Sequence, residues 1–156
     1  MKNLLKIAVL TLFVMLAVKT TYAQEWTNEQ SEVWKVVKDS WEKYKANDID
    51  GIVLLVHEKY QGWSDRDPMP TGKAALISWY REMMATFTMP YYIIEPARIA
   101  VTKSAAVVDY YYEYSVTITK EGKTESKDMK GKAAEFYVKE DGKWLLIGDL
   151  WVHEDE

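Results

Sequence analysis

The sequence predicts an α+β domain in which helices come first and a curved antiparallel sheet wraps the first helix. Three observations point there. Between residues 27 and 87 apolar side chains recur at helical spacing. After Pro90 they alternate with polar ones along several long runs, the spacing of strands. The two textures are segregated along the chain rather than interleaved, which separates α+β from doubly wound architectures. A chain of 156 residues, 48% hydrophobic and 28% charged, suits one domain with a substantial core.

Taken in order, Thr27 and Gln30 have capping-box spacing and open a helix. Val33, Val37, Trp41 and Tyr44 form its apolar stripe, with Trp34 at the edge. Lys35, Lys38, Glu42 and Lys45 lie opposite. Asn47 or Asp48 caps a second, short helix with Ile49, Ile52, Val53 and Val56 inward. "EKYQGWS" reads as extended, and "DRDPMPTG" as a loop with two Pro and a Gly. Thr71 can cap a third helix carrying Leu76, Tyr80, Met83, Met84 and Phe87 on one side. Pro96 marks an edge or a bulge in the strand that follows Pro90. "AAVVDYYYEYSVTIT" puts Val108, Tyr110, Tyr112, Tyr114, Val116 and Ile118 on one face. "KEGK" and Asp141-Gly142 are hairpin turns, and "KWLLIGDLWVH" is the last strand.

The first 23 residues read differently. Lys2 and Lys6 precede an apolar run from Ile7 to Val18, and Thr21-Tyr22-Ala23 ends in the small residues a signal peptidase needs. This reads as a secretory signal peptide (1–23), with 24–156 expected as the mature domain, secreted or periplasmic. The apolar run falls short of the roughly 20 residues of a spanning helix, so no stable membrane anchor is expected. Of the 20 basic residues Lys2, Lys6 and Lys19 leave with the signal. That gives 17 against 24 acids, a formal charge of −7 on the mature chain. Such a body argues against nucleic acid and anionic membranes as partners. Without Cys there is no disulfide, thiol nucleophile or thiolate metal site. Two His without H-x-H or H-E-x-x-H spacing point to no metal, and no Gly-rich phosphate cradle is present, so no cofactor is expected.

The element order, together with Asp48-Ile49-Asp50-Gly51-Ile52-Val53, then Gly72-Lys73-Ala74-Ala75-Leu76 with Trp79-Tyr80, resembles the nuclear transport factor 2-like superfamily. Within it the chain is similar to the SnoaL-like and ketosteroid-isomerase-like branch; Gly142-Lys143-Trp144-Leu145-Leu146-Ile147 matches that branch's last hairpin. The resemblance covers essentially the whole mature chain. It implies a cone-shaped α+β barrel with a pocket between sheet and helices, and a homodimer packed through the sheet. It does not deliver the isomerase chemistry. The general-base Asp falls on Ser64, the oxyanion-hole Tyr on Ser40 and the protonated Asp near Ala134, beside Glu135.

Candidate site residues compete with plainer readings. His57, with Glu58, Asp65 and Asp67 nearby, could move protons, or His57 could cap the second helix. Asp149, Trp151 and His153 share one face of the last strand, toward a pocket or at an exposed strand end. Tyr111, between Asp109 and Glu113, could reach a pocket or lie on a polar outer face; the two acids are roughly 13 Å apart. Trp41, Tyr44, Trp63, Trp79 and Tyr80 come from the pieces that line the family's pocket, and could be walls for an apolar ligand or ordinary core. The sequence therefore favours binding of a small, mostly apolar molecule. The rivals are an acid–base enzyme of the isomerase, cyclase or dehydratase type using His57, Asp65 or His153, and a non-catalytic interaction module.

Overall fold

A computed structural model describes residues 25–154. The expected signal segment and its expected cleavage point at Ala23 lie outside them. Helix α1 (Asn28–Lys45) opens with the full capping box: the Gln30 amide donates to Thr27 Oγ1 and the Thr27 amide to Gln30 Oε1. The Gln30 side chain also donates to the Ile99 carbonyl at 2.6 Å, tying the helix start to the sheet. Val33, Val37 and Trp41 are its buried stripe, as the spacing requires. Asn47, in the left-handed region at φ 56°, turns the chain, and Asp48 caps α2 (Ile49–Val53) by accepting from Gly51 N–H.

Helix α2 is shorter than the apolar pattern suggests. Leu55 and Val56 are already paired with Leu146, so the inter-strand ladder takes the backbone groups a longer helix would use. Strand β1 (Val56–Ser64) thus includes His57, which is a strand residue and not a helix cap. Thr71 does not cap the third helix either. It pairs with Gly62 in the two-residue β2 (Thr71–Gly72), and Gly72 is the N-cap of α3 (Lys73–Met84), without a side-chain bond.

The long strands follow: β3 (Phe87–Val101), β4 (Ala105–Lys120), β5 (Lys123–Glu140) and β6 (Lys143–His153). Their hairpins turn at Glu121-Gly122 and Asp141-Gly142, all four residues at positive φ, the twist a two-residue turn needs. Register shifts flank Pro90 and Pro96. The sheet order is β2-β1-β6-β5-β4-β3. It is mixed rather than wholly antiparallel, because β1 pairs with β6 in parallel after the chain has passed through α3 and four strands. The sheet is also open, with β2 and β3 at its edges. Trp41 sits in its hollow, with ring centroids 5.2 Å from Tyr92, 5.7 Å from Tyr114 and 6.1 Å from both Tyr112 and Trp151. The fold is therefore the α+β cone with three helices against the inner face of the sheet.

Candidate functional site

Between that inner face and the segments α1, β1 and α3 lies a cavity of about 450 Å³. Helix α1 contributes Ser40, Trp41 and Tyr44, and α3 contributes Ala75, Leu76, Trp79 and Tyr80. Tyr60, Gly62, Trp63 and Ser64 come from β1, and Tyr114, Met129, Glu135, Tyr137, Asp149, Trp151 and His153 from β4 to β6. Arg66 and Asp67 belong to the exposed loop at its mouth.

Two carboxylates occupy the deep side. Glu135 is 3% exposed and lies opposite Asp149 in the β5–β6 register, so both point to the same face. Glu135 accepts from Tyr110 Oη at 2.8 Å and Tyr137 Oη at 2.5 Å, and Tyr110 Oη in turn accepts from Trp41 Nε1 at 3.1 Å. Burial pushes the Glu135 carboxyl up to about 7, against the two phenol hydrogen bonds that favour its ionised form; the Asp149 charge adds to the upward push. Asp149 accepts from Tyr60 Oη at 2.8 Å and from the Trp151 side chain and Trp63 N–H. Burial again dominates, and its pKa lies above the ordinary carboxylate range. The phenols of Tyr60, Tyr80, Tyr110 and Tyr137 are driven up by burial, then by neighbouring charges, and stay neutral; Tyr60, Tyr110 and Tyr137 are the donors.

Glycine makes this packing possible. A Cβ at Gly62 would lie 1.9 Å from Tyr60 Oη and 2.4 Å from Asp149 Oδ1. The slot through which Tyr60 reaches Asp149 exists because residue 62 has no side chain.

Among the residues singled out from sequence, Trp41, Tyr44, Trp63, Trp79, Tyr80, Asp149, Trp151 and His153 all border the cavity. Trp63 and Trp79 are half-exposed at its rim, and Trp63 Nε1 donates to the Asp67 carbonyl at 2.7 Å. Asp65 meets His153: the carboxylate lies 2.6 Å from the imidazole Nδ1 and accepts from the His153 amide at 3.2 Å. These hydrogen bonds hold Asp65 below the usual carboxylate range and fasten the loop to the end of β6. His57 is elsewhere. Its Nε2 is 3.2 Å from Glu140 and its Nδ1 accepts from the Lys59 amide, so both ring nitrogens serve the fold. Tyr111 faces outward, half-exposed, with the Lys132 ammonium 5.7 Å from its ring centre. Among the described residues no three acidic or His side chains converge as a metal site.

Sequence reasoning missed Tyr60, Glu135 and Tyr137. Transfer of the isomerase positions stopped one residue short: Ala134 pairs with Asp109 and Leu150 on the outer face, while Glu135 turns inward. Ser40 and Ser64, the other two transferred positions, do border the cavity.

Comparison with known proteins gives the same picture. The SnoaL-like domain family matches residues 37–147. No curated protein matches the sequence. A conserved protein from Planctomyces limnophilus superposes with a TM-score of 0.72 at 12% identity, covering 81% of this chain and 96% of that one. A ketosteroid isomerase-like protein from Erwinia carotovora atroseptica gives 0.70 at 13%, over 84% of this chain and all (100%) of that one. An NTF2-like protein from Cytophaga hutchinsonii gives 0.70 at 14%, over 82% and 100%. At these identities the likeness is one of fold.

Proposed function

The chain belongs to the SnoaL-like domain family, and from that premise we propose that its cavity takes up a small, mostly apolar molecule. The observation that carries this reading is the wall: a space of about 450 Å³ bordered by Trp41, Tyr44, Trp79, Tyr80, Tyr114 and Trp151. Such a volume suits a compact ring system, and Trp and Tyr present large apolar faces while keeping one polar edge for orientation. The test is a titration of intrinsic Trp fluorescence with planar aromatic and alicyclic compounds, repeated on Ala75→Trp. The added indole is expected to fill the cavity and abolish the response. Unaltered binding by that folded variant, or no response of the parent protein to any compound, would refute the reading.

A second reading, acid–base chemistry on the bound molecule, is favoured by one specific observation. Two carboxylates with raised proton affinity border the same cavity, each held by phenol hydroxyls. A general base works best with a pKa near the operating pH, and Glu135 is placed there. Asp149 is the less enclosed of the two and the better placed to reach a substrate proton, with Tyr60 orienting it. Within this reading His153 is the second proton carrier at the mouth and Asp65 orients it. Turnover of a carbon acid that disappears in Asp149→Asn while binding persists would support it.

The proposal also includes export and self-association. Cleavage after Ala23 is checked by N-terminal sequencing of protein recovered outside the cytoplasm. The outer sheet face carries Ile93, Tyr111, Phe136, Leu150 and Val152, each between 41% and 52% exposed, which supports a homodimer through the sheet. Light scattering of Leu150→Glu against the parent chain tests it, with loss of the dimer expected.

A further inference from the structure

The binding reading leaves the ligand's polar group undefined, and the deep side of the cavity defines it. The charges there are of one sign. Glu135 and Asp149 are cross-strand partners whose Cβ atoms stand roughly 5 Å apart. The hydrogen-bond donors that touch them are already the protein's own: Tyr110 and Tyr137 on Glu135; Tyr60, the Trp63 amide and the Trp151 side chain on Asp149. Those bonds aim both groups as acceptors. Among the described residues no Lys borders the cavity; Arg66 and His153 border it, Arg66 from the exposed mouth loop and His153 at the last residue of β6. What governs the two acids is burial, these hydrogen bonds and, for Glu135, the Asp149 charge. Around them stand the π faces of Trp41, Tyr80, Tyr137 and Trp151.

Paired buried carboxylates repel one another, and each is poorly solvated. A neutral ligand would leave that repulsion in place, and an anionic ligand would add a third like charge. A cation between the two turns both terms favourable, and the rings add cation–π attraction.

Resting on the binding reading, we propose that the molecule taken up is an organic cation: a protonated amine on a compact apolar or aromatic body, its ammonium between Glu135 and Asp149. The apolar body lies along the Trp and Tyr walls. Selectivity follows from the charge of the head group and not from its size.

Isothermal titration of the protein with three near-isosteric probes, 2-(1-naphthyl)ethylamine, 2-(1-naphthyl)ethanol and 1-naphthylacetate, tests this. The amine is expected to bind at least about tenfold more tightly than the alcohol, and the acid most weakly. Asp149→Asn and Glu135→Gln, checked for folding by circular dichroism, should each erase most of that preference. The parent protein supplies a second measure. Protonation of Glu135 removes one of the two charges, so amine affinity should rise between pH 5.5 and 8 while the alcohol's stays flat. Equal affinity for amine and alcohol, tighter binding of the acid, a flat amine profile, or folded variants that keep the preference each overturn the cation proposal and leave the binding reading standing. Absence of binding by all three overturns both.

Discussion

Glu135→Gln removes one ionisable group and almost no volume, so its effect is read as a change in pH dependence. The parent Glu135 is fully enclosed and titrates at about 7, against an ordinary value of 4.5. The folded chain therefore holds this proton more tightly than the unfolded one. The stability it contributes is complete below about pH 4.5 and is lost as pH rises through 7. That rise corresponds to about 3 kcal/mol over the interval. Gln has no proton to lose, and its single oxygen leaves either Tyr110 or Tyr137 without its acceptor, a constant cost of about 1 kcal/mol. The variant should thus be less stable than the parent by about 1 kcal/mol at pH 4.5 and more stable by about 2 kcal/mol at pH 8. Urea unfolding followed by Trp fluorescence at half-unit pH steps measures the difference. Parallel curves would refute the claim that Glu135 is buried in a poorly compensated site.

Three further outcomes follow from the same geometry. Gly62→Ala places a methyl carbon on Tyr60 Oη and Asp149 Oδ1, so the 2.8 Å bond between them must break. The expected cost is about 2–3 kcal/mol in thermal unfolding, with weaker probe binding. Trp41→Ala empties the centre of the hollow, where one indole touches five tyrosines and Trp151, and should cost about 3–5 kcal/mol. Asp65→Asn weakens the latch to His153 without touching the core, so proteolysis within residues 65–70 should accelerate while the melting temperature barely moves. Because Asp65 titrates below its ordinary value, the parent latch should itself loosen as pH falls through that lowered range.

Helical stripes and strand alternation were legible because they are local. Val33, Val37 and Trp41 had one place to go, as did every second residue from Val108 to Val116. Junctions were not, because they are settled by partners far along the chain: Leu146 ends α2 early, and Gly62 takes Thr71 away from its helix. The acid pair was hidden for a sharper reason. The Asp141-Gly142 turn pairs Glu140 with Lys143, and that register runs unbroken to Tyr137 opposite Leu146. Carried further, it would set Gly148 against Glu135 and turn Asp149 to the outer face. Instead the register slips by one at Ile147, after which Phe136 meets Gly148 and Glu135 meets Asp149. One extra residue on β6 moves Asp149, Trp151 and His153 to the inner face.

That slip also bears on what the cavity is for. An apolar side chain at 135 would pack against Val108, its partner on β4, with no desolvation penalty. The chain instead carries a carboxyl there, surrounds it with two phenols and an indole, and bends β6 to bring a second acid beside it. Stability alone gives no reason for this arrangement, since ionisation of Glu135 weakens the fold above pH 7 by about 3 kcal/mol. Local departures of this kind, compensated by a large well-packed surrounding, mark the places where a fold is shaped by what it binds. In this chain the departure and the aromatic cavity coincide. Glu135→Gln, which should gain stability above pH 7, is also one of the two substitutions that should lose the cationic probe. A variant that gains stability and keeps full preference for that probe would break the link between the two observations.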